Sequence, residues 1–214
     1  FVKHFDSYLR ERGKTVIGWD EILDGSAVPS TVVMSYRGHA PASRAFEKDM
    51  KVILAPNRWC YYDYDQEEIE DLYKNHHLFI TLRKAYLYDY MQYLNADVAH
   101  KAEDLLLGIQ ACVWGEFIPD AAKLHVQTYP RSATIAEVTW AADASRNWND
   151  FRIRLEKEFE RLEAKGVGSS KAYWQVIVNM NLEVPYPREI ELELDYPYAQ
   201  IRYTKDGSEP TADS

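Results

Sequence analysis

The chain has 214 residues, 46% of them hydrophobic and 14% aromatic, with 6 Trp and 16 Tyr. That is enough apolar material for one large domain or one and a half ordinary ones, and it excludes general disorder. A formal net charge of -9 with no offsetting basic run disfavours a nucleic-acid or anionic-membrane surface. Its 2 Cys exclude a disulfide framework and read as buried free thiols, and no apolar run reaches transmembrane length.

Residues 1–12 read as an amphipathic helix with Phe1, Phe5, Tyr8 and Leu9 on one face, ended by Gly13. Phe1-Val-Lys-His4 does not read as a signal peptide, and the chain reads as starting in mid-domain. A strand over Thr15–Trp19 leads into Asp20-Glu21, and a second strand is expected at Thr31–Tyr36. Pro41 to Met50 reads as a short helix, and Lys51–Ala55 as a third strand closed by Pro56. An aromatic segment, Asn57 to Asp65, precedes an acidic, helical stretch from Gln66 to Lys74; Ile80 to Tyr93 resists assignment. Leu105 to Trp114 reads as a fourth strand, followed by a helix from about Ala121 or Tyr129 to Ala142 and another over Asp150–Lys165. Gly166-Val-Gly-Ser-Ser170 is a linker candidate. Beyond it, strands are expected at Trp174–Val178, Glu189–Leu194 and Ala199–Tyr203, with a turn at Asp206-Gly207.

Four short apolar strands, mostly separated by helices, suggest parallel βα units. Each strand run is followed by polar or aromatic side chains: Trp19 and Glu21, Tyr36 and Arg37, Tyr61 and Asp63, Trp114 and Glu116. In βα barrels the carboxyl ends of the strands carry the site. Residues two apart on a strand share a face, so Cys112, Trp114 and Glu116 should point one way and Val113 the other. By the same rule Tyr61 and Asp63 share a face and Tyr62 points away. A broad aromatic face beside a carboxylate is a natural floor for a sugar ring, whereas a core Trp and a solvated Glu at a strand end explain Trp114 and Glu116 equally well.

Four motifs in order decide between these. Gly18-Trp-Asp-Glu-Ile22, Trp59-Cys-Tyr-Tyr-Asp-Tyr64, Gly108-Ile-Gln-Ala-Cys-Val-Trp-Gly-Glu116, and Tyr129-Pro-Arg131 with Ala136-Glu-Val-Thr-Trp140 resemble the second half of a family 20 β-N-acetylhexosaminidase barrel. Ile201 to Thr211 resembles the β-domain that often follows it. The resemblance implies an α/β fold: part of a (β/α)8 TIM barrel, strands 5–8 with their helices, over residues 1–166. A linker and a truncated β-rich accessory segment would occupy residues 167–214.

It further implies hydrolysis of glycans ending in β-linked N-acetylglucosamine or N-acetylgalactosamine. There the substrate's own acetamido oxygen attacks C1, one of the recognised exceptions to the two-carboxylate scheme. On the same resemblance Tyr61 donates a hydrogen bond to that oxygen, Trp19 lines the acetamido pocket and Trp114 stacks under the sugar. Asp63 and Glu116 bind sugar hydroxyls. Tyr36 stands where the family often has a Trp, and the Trp often found in the insertion after strand 7 has no counterpart in Tyr73 to Phe79. The family's catalytic Asp-Glu pair follows strand 4; Asp20-Glu21 lies in the strand-5 motif and does not take that role.

The isolated chain is therefore expected to be inactive, to need the missing amino-terminal half of its barrel, and to self-associate through open edges. No cofactor is expected, nor a metal, since His76-His77 lack ligand spacing. Glu137 and Arg131 read as structural partners. A periplasmic or secreted location accords with the family. The rival readings are a non-catalytic carbohydrate-binding module on a half barrel, and a purely structural piece.

Overall fold

The computed structural model describes residues 1–25, 28–66, 79–141, 145–180 and 190–211. His76, His77 and the acidic run beyond Gln66 lie outside the described residues. In chain order the helices are α1 (Val2–Arg10), α2 (Ala40–Glu47), α3 (Asn57–Cys60), α4 (Leu82–Tyr86), α5 (Ala96–Ala99), α6 (Ala102–Leu105), α7 (Ala121–Thr128), α8 (Arg131–Trp140) and α9 (Trp148–Ala164). The strands β1 (Ile17–Trp19), β2 (Val32–Ser35), β3 (Val52–Leu54) and β4 (Leu106–Ile109) form one parallel sheet in that order. Parallel neighbours need crossovers: α2 lies between β2 and β3, α3 to α6 lie between β3 and β4, and the segment from β1 to β2 holds a 3-10 turn at Asp20–Asp24.

Alternation along the central strands sorts side chains to two faces. Val33, Val52 and Leu54 are fully buried against Ala42, Ala45 and Phe46 of α2, with Val98 and Ala102 completing the layer. Met34 turns the other way, to Ala55 and Cys112, with Trp19, Ile53 and Tyr61 packed around them. One face thus builds the core, at about 1.5–3 kcal/mol for each large apolar side chain fully buried. The other face leads to the strand ends.

Several expected elements take a different form. The apolar face of α1 is not what that helix buries: Phe1, Phe5 and Tyr8 are exposed and Asp6 is buried. Its carboxylate accepts from the Ser30 hydroxyl at 3.0 Å and pairs with Arg10 at 3.7 Å, which ties α1 to the chain before β2. The single helix expected before Ala142 is two, α7 and α8. The residue before a proline is pushed out of helical geometry, and Tyr129 is accordingly extended ahead of Pro130. The unassigned stretch after Ile80 holds α4, with Thr81 capping it by accepting from the Lys84 N–H at 3.1 Å. The linker candidate 166–170 is anchored: Ser170 N–H donates to the Tyr129 carbonyl at 2.9 Å, and Ser170 is buried. β5 (Val176–Met180) and β6 (Ile190–Leu194) pair antiparallel, whereas Ala199–Tyr203 forms no strand.

His39, at the start of α2, gives the core a pH dependence. It is buried, stacked on Tyr93 with centroids 4.9 Å apart, and its Nε2 lies 2.6 Å from the Tyr88 hydroxyl. Burial pulls its pKa from 6.5 down to about 4. Because the folded value is depressed, the unfolded chain binds more protons between those values, so stability falls as pH drops from 6.5 towards 4. The expected loss between about pH 7.5 and about pH 5 is roughly 2 kcal/mol. Urea titrations at both pH values check it: the loss should shrink in His39→Gln, and an equal loss in the variant would assign the effect elsewhere.

Candidate functional site

Four aromatic rings meet at the carboxyl ends of the four parallel strands. Trp19 ends β1, Tyr36 follows β2, Tyr61 follows α3 just beyond β3, and Trp114 lies a few residues past β4. Trp19 meets Tyr36 edge-on at 5.4 Å, and Tyr36 stacks on Tyr61 at 6.4 Å with planes 10° apart. Tyr61 touches Trp114 at 5.8 Å, and Trp114 returns to Trp19 at 5.6 Å. Each ring therefore touches two others, and the contacts close into a circuit. Such offset and edge-on arrangements are the favoured ones for aromatic pairs.

Main-chain pairing beyond the strand ends holds two of the rings. Cys112 N–H donates to the Cys60 carbonyl at 2.8 Å and Tyr62 N–H to the Cys112 carbonyl at 2.7 Å, bridging Tyr61 to Cys112. Cys112 faces the ring cluster with Met34 and Ala55, and Val113 packs on the opposite side with Tyr62 and Tyr64. The alternation expected there holds through Trp114, which is 40% exposed and offers a ring face to solvent. It stops at Glu116. Gly115–Phe117 is a 3-10 turn, so Glu116 does not follow Trp114 on an extended strand; its side chain is exposed.

Tyr61 faces the rings and Tyr62 faces away, with its hydroxyl 3.3 Å from Thr134 Oγ1 on α8. The reason differs from simple strand alternation. Tyr64 N–H donates to the Tyr61 carbonyl at 3.2 Å, so residues 61–64 form a turn, and Asp63 is buried within it. Arg131 grips that turn. Fully buried, it donates to the carbonyls of Tyr62 at 2.6 Å, Tyr64 at 2.8 Å and Ile80 at 3.0 Å, and stands 4.7 Å from the Tyr62 ring centre. Gln127 adds a donor to the Asp63 carbonyl at 3.0 Å. Glu137 likewise has structural partners, Arg154 at 2.7 Å and the Tyr86 hydroxyl at 3.1 Å.

The titratable groups have defined states. Burial, with Cys112 adding to it, pushes the Tyr61 hydroxyl well above its ordinary value, so it remains a proton donor at neutral pH. Burial also raises Cys60 and Cys112, which makes both thiols poor nucleophiles. Asp20 is fully buried and accepts from the N–H groups of Tyr36 at 2.9 Å and Arg37 at 3.0 Å, and from the Arg37 guanidinium. Glu21 accepts from the Tyr36 hydroxyl at 2.6 Å, and this bond holds its carboxyl below the usual range. A general acid needs a raised pKa, so Glu21 is not built for that work. The Glu21–Tyr36 bond is what sequence reasoning missed; the adjacent Asp20-Glu21 after a strand was its only local signal. Among the described residues no three His, Cys, Asp or Glu side chains converge to hold a metal, and no helix is long and apolar enough to cross a membrane.

Residues 1–143 match the model of the glycosyl hydrolase family 20 catalytic domain. The chain belongs to glycosyl hydrolase family 20. Among family members, a β-hexosaminidase of Porphyromonas gingivalis is 33% identical over 171 residues, covering 78% of this chain and 21% of that protein. A β-N-acetylhexosaminidase of Cellulomonas fimi is 28% identical, covering 78% and 34%. The chain thus spans about a fifth to a third of the length of these relatives. The crystal structure of an exo-β-N-acetylglucosaminidase of Vibrio harveyi in complex with N-acetylglucosamine aligns with a TM-score of 0.67 at 29% identity, covering 78% of this chain and 26% of that one. The Streptomyces coelicolor family 20 enzyme, at 23% identity and a TM-score of 0.70, shares the fold.

Proposed function

We propose that this chain is the carboxyl-terminal half of the catalytic barrel of an exo-β-N-acetylhexosaminidase. In this reading β1 to β4 are barrel strands 5–8, residues 1–166 belong to the barrel, and residues 167–214 begin a β-rich accessory segment. The single observation that carries the reading is the closed circuit of Trp19, Tyr36, Tyr61 and Trp114 at the strand ends, with a hydroxyl on Tyr61 that stays protonated. Together the four rings present an apolar aromatic surface of the kind that an acetamido methyl packs against. Trp114 offers its open face as the sugar floor, Tyr61 donates to the acetamido oxygen as it attacks C1, and Asp63 and Glu116 supply acceptors for hydroxyls. The Asp that orients the acetamido group and the Glu that protonates the leaving oxygen come from the amino-terminal half.

Trp114→Ala in the full-length enzyme tests the floor. A stacking surface serves ground and transition states alike, so KM should rise and kcat/KM fall together on an aryl N-acetylglucosaminide. Unchanged kinetics would remove Trp114 from the site. A carbohydrate-binding module would instead show the isolated chain binding N-acetylglucosamine, read by Trp fluorescence, with no change in turnover from any of the four rings. The exposed Ile17 and Leu107 on β1 and β4, at the two edges of the parallel sheet, support the missing half as the natural partner. The isolated chain should accordingly self-associate in sedimentation; a clean monomer at high concentration that binds no apolar dye would contradict this.

A further inference from the structure

Asp20 and Glu21 stand at the rim, yet the reaction proposed above uses neither. Both act on Tyr36. Asp20, buried on the 3-10 turn after β1, accepts the Tyr36 and Arg37 main-chain N–H groups and so bolts down the backbone at the end of β2. Glu21, the next residue, takes the Tyr36 hydroxyl at the far end of the ring. The turn that presents both depends on Gly18, where a Cβ would come within 2.7 Å of Ile22 Cγ2.

The geometry points to Glu21 as a positioning residue that sets the acyl specificity of the pocket by holding Tyr36 upright as its wall. This rests on the hexosaminidase reading above and deepens it. Tyr36 stacks almost parallel to Tyr61 and meets Trp19 edge-on, so a tilt of its ring changes the space facing both. An ionised carboxylate forms a shorter and stronger bond to a hydroxyl than a neutral acceptor does. Glu21 is exposed, and its lowered pKa keeps it ionised into mildly acidic solution, so the latch stays shut there. Arg37, paired with both Asp20 and Asp24, braces the same turn from outside.

The test compares kcat/KM of the full-length enzyme on an aryl N-acetylglucosaminide and its N-propionyl analogue, which differ by one methylene. One methylene in a fitted pocket is worth about 10–200-fold. Glu21→Ala and Tyr36→Phe are each expected to erode the preference for N-acetyl by about tenfold, and the double variant no further than either single one. Glu21→Gln, which keeps an acceptor and the side-chain volume, should erode it less and guards against misfolding of the alanine variant. In a Tyr36→Trp background, where bulk replaces the latch, Glu21→Ala should leave the preference unchanged. If wild type turns over the substrates but Glu21→Ala keeps the full preference, or the two single effects multiply, the positioning role is overturned and the hexosaminidase reading stands. No turnover of either substrate by wild type overturns both.

Discussion

Replacing Tyr61 with Phe in the full-length enzyme is expected to lower kcat by roughly a hundred- to a thousandfold, the effect of losing one preorganised donor at the reacting group, typically worth about 2.7–4 kcal/mol. The hydroxyl sits in the aromatic circuit, and burial keeps it protonated. The bond holds the acetamido oxygen against C1, and this positioning counts most at the transition state, so its loss falls on kcat more than on KM. Tyr62→Phe is the internal control. That hydroxyl meets Thr134 behind the sheet at 3.3 Å, so its removal should cost at most about 1 kcal/mol of stability and little turnover. Steady-state kinetics of both variants on an aryl N-acetylglucosaminide separate the alternatives. A damaging Tyr62→Phe beside a silent Tyr61→Phe would exchange the two roles.

Arg131→Leu is expected to destabilise the fold by about 3–5 kcal/mol or more, a large share of the roughly 5–15 kcal/mol that natural domains hold. The guanidinium is buried completely, and burial pulls its pKa down to about 10, so it stays charged at neutral pH. Main-chain carbonyls of Tyr62, Tyr64, Ile80 and Gln127 take the place of water around it. Leucine fills part of the volume but orphans those acceptors, each at about 1–3 kcal/mol. Arg131→Lys should rescue little, because a single ammonium cannot reproduce the planar fork that reaches opposite sides of the site. Urea midpoints decide this; a loss under about 1 kcal/mol in either variant would mean that the carbonyls find other donors. Since the Tyr62 and Tyr64 carbonyls belong to the turn after Tyr61, the surviving folded fraction should also lose turnover.

Much of the barrel was legible along the chain. The runs at 31–36 and 51–55 read as buried strands because both faces of β2 and β3 are covered, so both must be apolar. Helix α9 was legible from Phe151, Ile153, Leu155, Phe159 and Leu162, read as mostly on one side; Phe151, Leu155 and Leu162 are buried and Phe159 packs beside them, whereas Ile153 is exposed. Trp19, Tyr61 and Trp114 could be named because each follows an apolar run, and strand ends converge in a parallel sheet. Other readings failed where a contact distant in sequence overrode a local rule. Alternation treated residues 61–63 as extended, but the chain turns there, closing onto the Tyr61 carbonyl under the grip of Arg131. Amphipathicity picked out Phe1, Phe5, Tyr8 and Leu9 of α1, of which the first three are exposed and Leu9 is half-buried, while the buried residue is Asp6, bonded to Ser30.

The order of strands and helices, the ring-bearing residues at the strand ends and the family itself follow from the sequence alone, because hydrophobic periodicity and motif spacing are local properties of a chain. Only the tertiary structure decided that Tyr62, facing away from the rings, meets Thr134 on α8. It also decided that Asp20-Glu21 is spent on Tyr36 and Arg37, and that Arg131 is solvated by carbonyls. Apart from the Arg131–Gln127 bond, those outcomes are hydrogen bonds between residues 15 to 72 positions apart. Their formation depends on which buried polar group finds a partner once the helices have packed, and no local propensity encodes that.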